Sequence, residues 1–257
     1  MLRLQAFRRL KLFFKHVQEI SEHMKPREQA DSAPDRPFNL HTPEYFQQHY
    51  RTRTWEWYTP LLNICIEYGL QGPVLDLGCG MGLFTECCAH HNLKCLGLDD
   101  AEYAVEQAKA RCPDLNIRQH DLKVPLPVDN QYAGSVMLHQ VIEHIDPGTA
   151  DFVLQESYRV LRPNGRVFVF SPSRYNPQER DDPTHINMYS PKELIAAVQR
   201  AGFSRVEPLT AVASVGGVPI YYLGYNPWMK RVMRKVHRFL PTGRLAASAN
   251  CIGIKNT

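Results

Sequence analysis

Residues 74–82 read Val-Leu-Asp-Leu-Gly-Cys-Gly-Met-Gly, an apolar strand running into three glycines at alternate positions, with a helical pattern from Leu83 onward. Glycine admits backbone angles and close approaches that a Cβ forbids, so this turn can pass directly beneath a ligand. The same rhythm continues downstream. Short apolar strands are predicted at 73–77, 94–98, 116–119, 135–138 and 166–170, with helices at 83–90, 101–111 and 149–161. Ser190-Pro191-Lys192-Glu193 has the spacing of a capping box and opens a helix that Gly202 ends. Strands alternating with helices call for a parallel sheet covered on both faces, so the chain is expected in the α/β class as a doubly wound sheet. The ligand of such a sheet sits beyond the carboxyl ends of its central strands.

The segments before this core have a different character. Residues 1–24 set Phe7, Leu10, Phe14, Val17, Ile20 and Met24 at three- and four-residue spacing, the pattern of a basic amphipathic helix. Residues 25–41 carry three prolines and read as a linker. Residues 42–71 are expected to form an N-terminal helical cap, opened by Thr42 as N-cap with Pro43 in the first turn, and broken near Pro60. With 44% hydrophobic and 22% charged residues over 257 positions, the chain can bury a core and general disorder is excluded. Its net charge of +4 is segregated: +5 over 1–27, −8 over 28–207 and +7 over 208–257. The seven cysteines form no C-x-x-C pair, which predicts reduced thiols and a cytoplasmic setting. The acid-free first eighteen residues also suit a mitochondrial presequence, against which their lack of serine counts.

Seventeen residues after Gly82, the second strand ends in Leu98-Asp99-Asp100, where a carboxylate can accept hydrogen bonds from both hydroxyls of a ribose. The third ends in Gln119-His120-Asp121-Leu122, suited to an adenine edge held by Asp121 with Leu122 over the ring. A nicotinamide dinucleotide would require G-x-G-x-x-G at a phosphate-binding helix terminus. Here the glycines are spaced G-x-G-x-G, with Asp76 two residues ahead of them. An acid beside a pyrophosphate repels it, whereas an acid beside the ammonium of an amino-acid tail attracts it. These residues point to S-adenosylmethionine rather than a dinucleotide.

The blocks VLDLGCGMG, LGLDD, QHDLKVPLP, VIEHI, YRVLRPNGRVFVFSP and PKELIAAVQRAGF together resemble the class I S-adenosylmethionine-dependent methyltransferases, in particular the small-molecule branch called type 11. The resemblance covers residues 72–203. It implies a mostly parallel, seven-stranded, Rossmann-like sheet with a last strand at 250–255. The expected division is a cofactor-binding core at 72–215, an inserted basic lid at 216–246 and the closing strand within 247–257. By resemblance, Asp76, Gly78 and Gly80, with Cys79 between the glycines, meet the methionine portion. Asp99 and its neighbour Asp100 serve the ribose, and Asp121 with Leu122 the adenine. Related enzymes fold an aromatic helix over the cofactor, which makes Tyr50 and Arg53 candidates for its carboxylate. A packing helix is the plainer reading of the same residues. Tyr132-Ala133-Gly134 departs from the Phe-Asp of many relatives, a difference that bears on how the fourth strand starts.

Methyl transfer from a sulfonium is an in-line displacement that depends on alignment and exclusion of water, and an oxygen or nitrogen nucleophile also needs to lose a proton. Three histidines are candidate catalytic residues. His139 follows the fourth strand directly, and the resemblance places it beside the sulfonium. His144, in Glu143-His144, is read as a catalytic group or as a brace for the following helix. His185, after the fifth strand, is read as a base or a loop anchor. No metal-ligand spacing is evident. No Asn/Asp-Pro-Pro-Tyr/Phe run follows the fourth strand, which counts against planar amino groups as acceptors.

Residues 228–240 place Trp228, Met229, Val232, Met233, Val236, Phe239 and Leu240 on one helical face and five Lys/Arg on the other. This basic amphipathic helix is expected either to pack on the domain or to dock on an anionic membrane. Nucleic acid is disfavoured as a partner, because the basic ends flank an acidic body without a recognisable module. The expectation is methylation of an oxygen or nitrogen on a small molecule, with lipid-linked and envelope-glycan acceptors among the candidates. A non-catalytic methyltransferase-like subunit and, less favoured, an NAD-dependent oxidoreductase are the alternatives.

Overall fold

A computed structural model describes residues 42–209 and 248–257, together with the backbone of 214–215 and 218–219. The helix expected over 1–24, the linker over 25–41 and the basic helix at 228–240 lie outside the described residues.

Thr42 caps the first helix, α1 (Pro43–Tyr50), its hydroxyl accepting from the Tyr45 N–H at 3.3 Å. A 3-10 turn (Trp55–Tyr58) leads into α2 (Thr59–Glu67), which has Pro60 in its first turn. The expected break at Pro60 is therefore misplaced: the helical run is interrupted at 51–54, and Pro60 helps to open the next helix. A first-turn proline lacks only an N–H that would have no intrahelical partner anyway.

The core then alternates as the sequence pattern requires. Its elements are β1 (Val74–Leu77), α3 (Leu83–His90), β2 (Cys95–Asp99), α4 (Glu102–Arg111), β3 (Ile117–Gln119), β4 (Ala133–His139), α5 (Pro147–Val160) and β5 (Leu161–Pro172). A short turn of helix, α6 (Pro177–Arg180), precedes α7 (Pro191–Arg200), β6 (Arg205–Pro208), the separate antiparallel pair β7 (Ser214–Val215) and β8 (Val218–Pro219), and β9 (Ser248–Ile254). Seven strands form one sheet in the order β3-β2-β1-β4-β5-β9-β6, parallel except for β9, which runs antiparallel to both neighbours. The fifth strand starts earlier than expected. It meets Ala133 at Leu161, then bulges so that β4 advances to Ser135 while β5 advances to Arg166. Asn164 turns that bulge at φ +63°.

Side chains alternate across the sheet as strand geometry dictates. Leu75, Leu77, Val136, Leu138, Val167 and Val169 pack on one face with Val153 and Leu154 of α5 and Leu194 and Val198 of α7. Val74, Met137, Phe168 and Phe170 pack on the other with Leu61 and Leu62 of α2 and Phe84 and Cys87 of α3. All seven cysteines are free thiols. Among the described residues no helix is long and apolar enough to cross a membrane.

Strand order reverses at β1, which lies between β2 and β4. Connections leave β1 and β4 in opposite directions, which opens a crevice at their carboxyl ends. Leu209 donates its N–H to the Asn250 carbonyl at 2.8 Å, so the chain on either side of residues 210–247 meets at this same end of the sheet.

Candidate active site

The glycine turn, the end of β2 and the end of β3 are held together by Asp99. Its Oδ2 accepts from the Gly80 N–H at 2.7 Å and its Oδ1 from the Ala101 N–H at 3.0 Å, while its carbonyl accepts from the His120 N–H at 2.8 Å. The carboxylate is only 8% exposed. Gly78 and Gly80 adopt φ +65° and +52°, the left-handed region in which a Cβ is strained. The space is also taken: a Cβ on Gly78 would stand 2.5 Å from Val141, and one on Gly80 2.7 Å from the Tyr50 hydroxyl.

The remaining cofactor candidates fall at different depths. Asp76 is 2% exposed and lies under the turn, its Oδ2 accepting from the Thr85 hydroxyl at 2.8 Å. Burial pushes its pKa up to about 7, with the Thr85 hydrogen bond opposing and the Asp99 charge adding to the rise. The Cys79 side chain packs among Val105, Ala108, Leu115 and Ile117. The thiol belongs to the core, so the cofactor contact expected at Cys79 is left to its backbone. Leu122 is buried in the larger core cluster, while Asp121 is exposed and caps its own turn by accepting from the Lys123 N–H at 2.9 Å. Asp100 is exposed, its carbonyl accepting from the Gln119 amide at 3.0 Å.

Helix α1 covers the crevice. Phe46 packs on Ala101 and Ala104, and its ring lies 5.7 Å from Tyr50 and 6.1 Å from Tyr103. Arg53 stands over the rings of Tyr50 and Trp57, at 5.5 and 4.9 Å from their centroids. Burial, reinforced by the neighbouring phenols, holds the Tyr50 pKa well above its ordinary value, so Tyr50 is a neutral hydroxyl. A cavity of about 240 Å³ runs beside this cover, lined by Tyr50, Arg53, Trp55, Met81, Glu86 and Arg111 among others.

The three catalytic candidates do not converge. His139, at the end of β4, sits between Tyr58 and Phe170 with ring centroids 5.7 and 6.0 Å away. Loss of hydration, helped by the positive charge of Arg53, lowers its pKa to about 4. His144 and His185 pair elsewhere on the face, with ring centroids 4.9 Å apart. Nδ1 of His144 donates to the Thr184 carbonyl at 3.0 Å and Nδ1 of His185 to the Glu179 carbonyl at 2.7 Å. The loop that carries His185 is stitched to the segment after β4: the Asn187 N–H donates to the Glu143 carbonyl at 3.0 Å and its amide to the Ile142 carbonyl at 3.2 Å.

Three residues to which the sequence assigned no site role gain weight here. Glu143 is fully buried, and burial raises its pKa to about 8. Gln140, one residue past β4, holds φ +58°, an unusual angle for a side-chain-bearing residue at a strand end. Burial raises the Tyr45 phenol pKa, and the charges of Asp182, Glu143 and Asp99 add to that rise while Arg53 opposes it. The sequence had offered all three only in passing, Gln140 and Glu143 in the run after the fourth strand and Tyr45 in the aromatic helix.

Residues 75–169 match a family described as a methyltransferase domain. A probable S-adenosylmethionine-dependent methyltransferase of Mycolicibacterium smegmatis is 34% identical over 148 residues, covering 56% of this chain and 56% of that protein. A ubiquinone biosynthesis O-methyltransferase of Pelagibacter ubique is 29% identical over 99 residues, covering 37% of this chain and 40% of that protein. The chain thus spans about half the length of the curated relatives it matches. In fold it is similar to a solved SAM-dependent methyltransferase of Archaeoglobus fulgidus, with a TM-score of 0.58 at 21% identity over 82% of this chain and 98% of that one. The sheet order, the glycine turn clamped by Asp99 and these likenesses agree: residues 75–169 match a methyltransferase domain, and the chain is similar in sequence and fold to S-adenosylmethionine-dependent methyltransferases.

Proposed function

We propose that the protein transfers a methyl group from S-adenosylmethionine to an oxygen or nitrogen of a small-molecule acceptor. The observation that carries this reading is the Asp99 clamp on the Gly80 N–H at the reversal point of the sheet. The turn carries no side chain of its own at Gly78 and Gly80, and a carboxylate stands at the end of β2, an arrangement that fits a ribose-bearing cation. When bound, the cofactor supplies an electrophilic methyl on a sulfonium sulfur.

The chain's own residues align and shield. Asp99 holds the ribose hydroxyls, and the glycine backbone lets the methionine portion lie close. Asp76 adds negative charge beneath the turn to whatever extent it is ionised. Phe46 and Tyr50 exclude water above it. His139 stays neutral through the physiological range and is a weak base, so removing an acceptor's proton falls to the face that holds His144, His185 and Glu143.

A narrower form of this reading takes the acceptor as lipid-linked. It is supported by the basic and apolar faces of 228–240, within a segment whose flanking residues meet at the carboxyl end of the sheet. Flotation with anionic vesicles at varied salt tests that form, and no retention at low ionic strength rejects it.

The test of the main reading is calorimetry with S-adenosylmethionine, followed by transfer of labelled methyl to cell extracts. Absence of binding rejects the whole reading. Binding without transfer to any extract favours a non-catalytic subunit instead.

A further inference from the structure

One potential ligand atom from each of Glu143, His144 and His185 lies within 4.8 Å of the others. Three features make this more than a chance cluster.

The first is the state of the carboxylate. Glu143 is 0% exposed, and neither of its oxygens makes a well-formed hydrogen bond among the described residues. The Ser171 hydroxyl donates to the Pro172 carbonyl at 3.2 Å and lies near enough to Glu143 to favour its ionised form, as does Glu143's own backbone N–H. The charged neighbour that Glu143 senses is another carboxylate, Glu179. Buried and without a well-formed partner among the described residues, this carboxyl group can take up a cation in exchange for its proton.

The second is the orientation of the imidazoles. Each donates its Nδ1 proton to a backbone carbonyl, so each carries its lone pair on Nε2. Ligating histidines are oriented in this way by carbonyls and carboxylates behind them. The Thr184 carbonyl that orients His144 is itself fixed. Oδ1 of Asp182 accepts from the Thr184 N–H at 2.9 Å and from its hydroxyl at 2.7 Å.

The third is the composition of the set. Two imidazoles and one carboxylate leave coordination positions open, and they suit zinc, manganese, iron or cobalt better than calcium or magnesium. Donor atoms around a tetrahedral ion with bonds of about 2.1 Å stand about 3.4 Å apart, so a set within 4.8 Å has to contract by up to about 1.4 Å. His144 and His185 lie on loop segments where side-chain rotation supplies such a movement. Glu179 and Asp182 add negative charge at the rim.

We propose that Glu143, His144 and His185 bind one divalent transition-metal ion at the carboxyl end of the sheet. The site stands on this chain's side chains and does not depend on the methyl-transfer reading.

The experiment uses the full chain, stripped with chelator and then titrated with Zn²⁺, Mn²⁺ or Co²⁺ alone. Calorimetry and elemental analysis after desalting are expected to give one ion per chain for at least one of these metals. Co²⁺ is expected to give visible bands without the near-ultraviolet thiolate charge-transfer band that cysteine ligation would add. His185→Ala and Glu143→Gln should each weaken binding about tenfold or more, with circular dichroism unchanged. Glu143→Gln keeps the side-chain shape, so it separates lost ligation from lost folding. No stoichiometric ion from any of the three metals overturns the proposal. So does unchanged affinity in both variants, or a thiolate band, which would assign the ion to cysteine.

Discussion

The Gly80 N–H and the Asp99 carboxylate, nineteen residues apart, meet at 2.7 Å, so the turn that shapes the cofactor face is fastened to the side chain expected to hold the ribose. A second Asp99 oxygen takes the Ala101 N–H, which fixes the start of α4 to the same group. On the proposed reading, binding and local architecture share one carboxylate.

Asp99→Ala removes both jobs. Hydrogen bonds to charged groups are worth about 1.5–3 kcal/mol, so affinity for S-adenosylmethionine should fall about tenfold to a hundredfold by calorimetry. The melting temperature should fall too, because two backbone N–H groups lose their acceptor. Retained affinity in this variant would remove Asp99 from the site.

Asp76 should make both stability and binding depend on pH. Its folded pKa of about 7 lies above the ordinary 3.8, so between those values the folded state holds a proton that the unfolded state has lost. Stability from this group therefore declines as pH rises from about 4 to 7, at a limiting slope of about 1.4 kcal/mol per unit, and is level above 7. Asp76→Asn should flatten that part of the curve in urea unfolding. A cationic ligand favours the ionised form, so binding near pH 7 should release protons. Calorimetry in buffers of different ionisation enthalpy measures this directly.

His139 should show the opposite slope. Its folded pKa of about 4 lies below the ordinary 6.5. The unfolded state takes up a proton first, so stability is full above about 6.5 and falls as pH drops toward 4. His139→Phe should remove that loss, measured as the difference between unfolding at pH 5 and pH 7. The pH–rate profile of methyl transfer should carry no ionisation of His139 near 6.5.

Gly78→Ala is expected to destabilise by about 1–3 kcal/mol from its backbone angle alone, with further cost from the collision with Val141. Val141→Ala added to it should recover the collision component and leave the backbone component. A double variant no more stable than Gly78→Ala, in chemical denaturation, would show that the contact is unimportant.

Much of the fold was legible because it rests on local chemistry. The Thr42 cap, the Ser190–Glu193 capping box and the left-handed Gly202 after α7 are interactions within a few residues, and they leave a signature at fixed spacing. The glycine turn is legible for the same reason. The misplaced break at Pro60 and the early start of β5 depend on what packs nearby, which local patterns do not report.

By itself, then, the sequence determined the alternating α/β core, the glycine turn and the identity of the carboxylates at the strand ends. Periodicity and backbone sterics act along the chain, and these features follow from them. Tertiary structure alone decided that the Cys79 thiol turns into the core and that His139 is enclosed by Tyr58 and Phe170. It also decided that His185 arrives beside Glu143 and His144. Burial and charge act through space, so the protonation of Asp76, His139 and Glu143 was set by neighbours that only folding supplied.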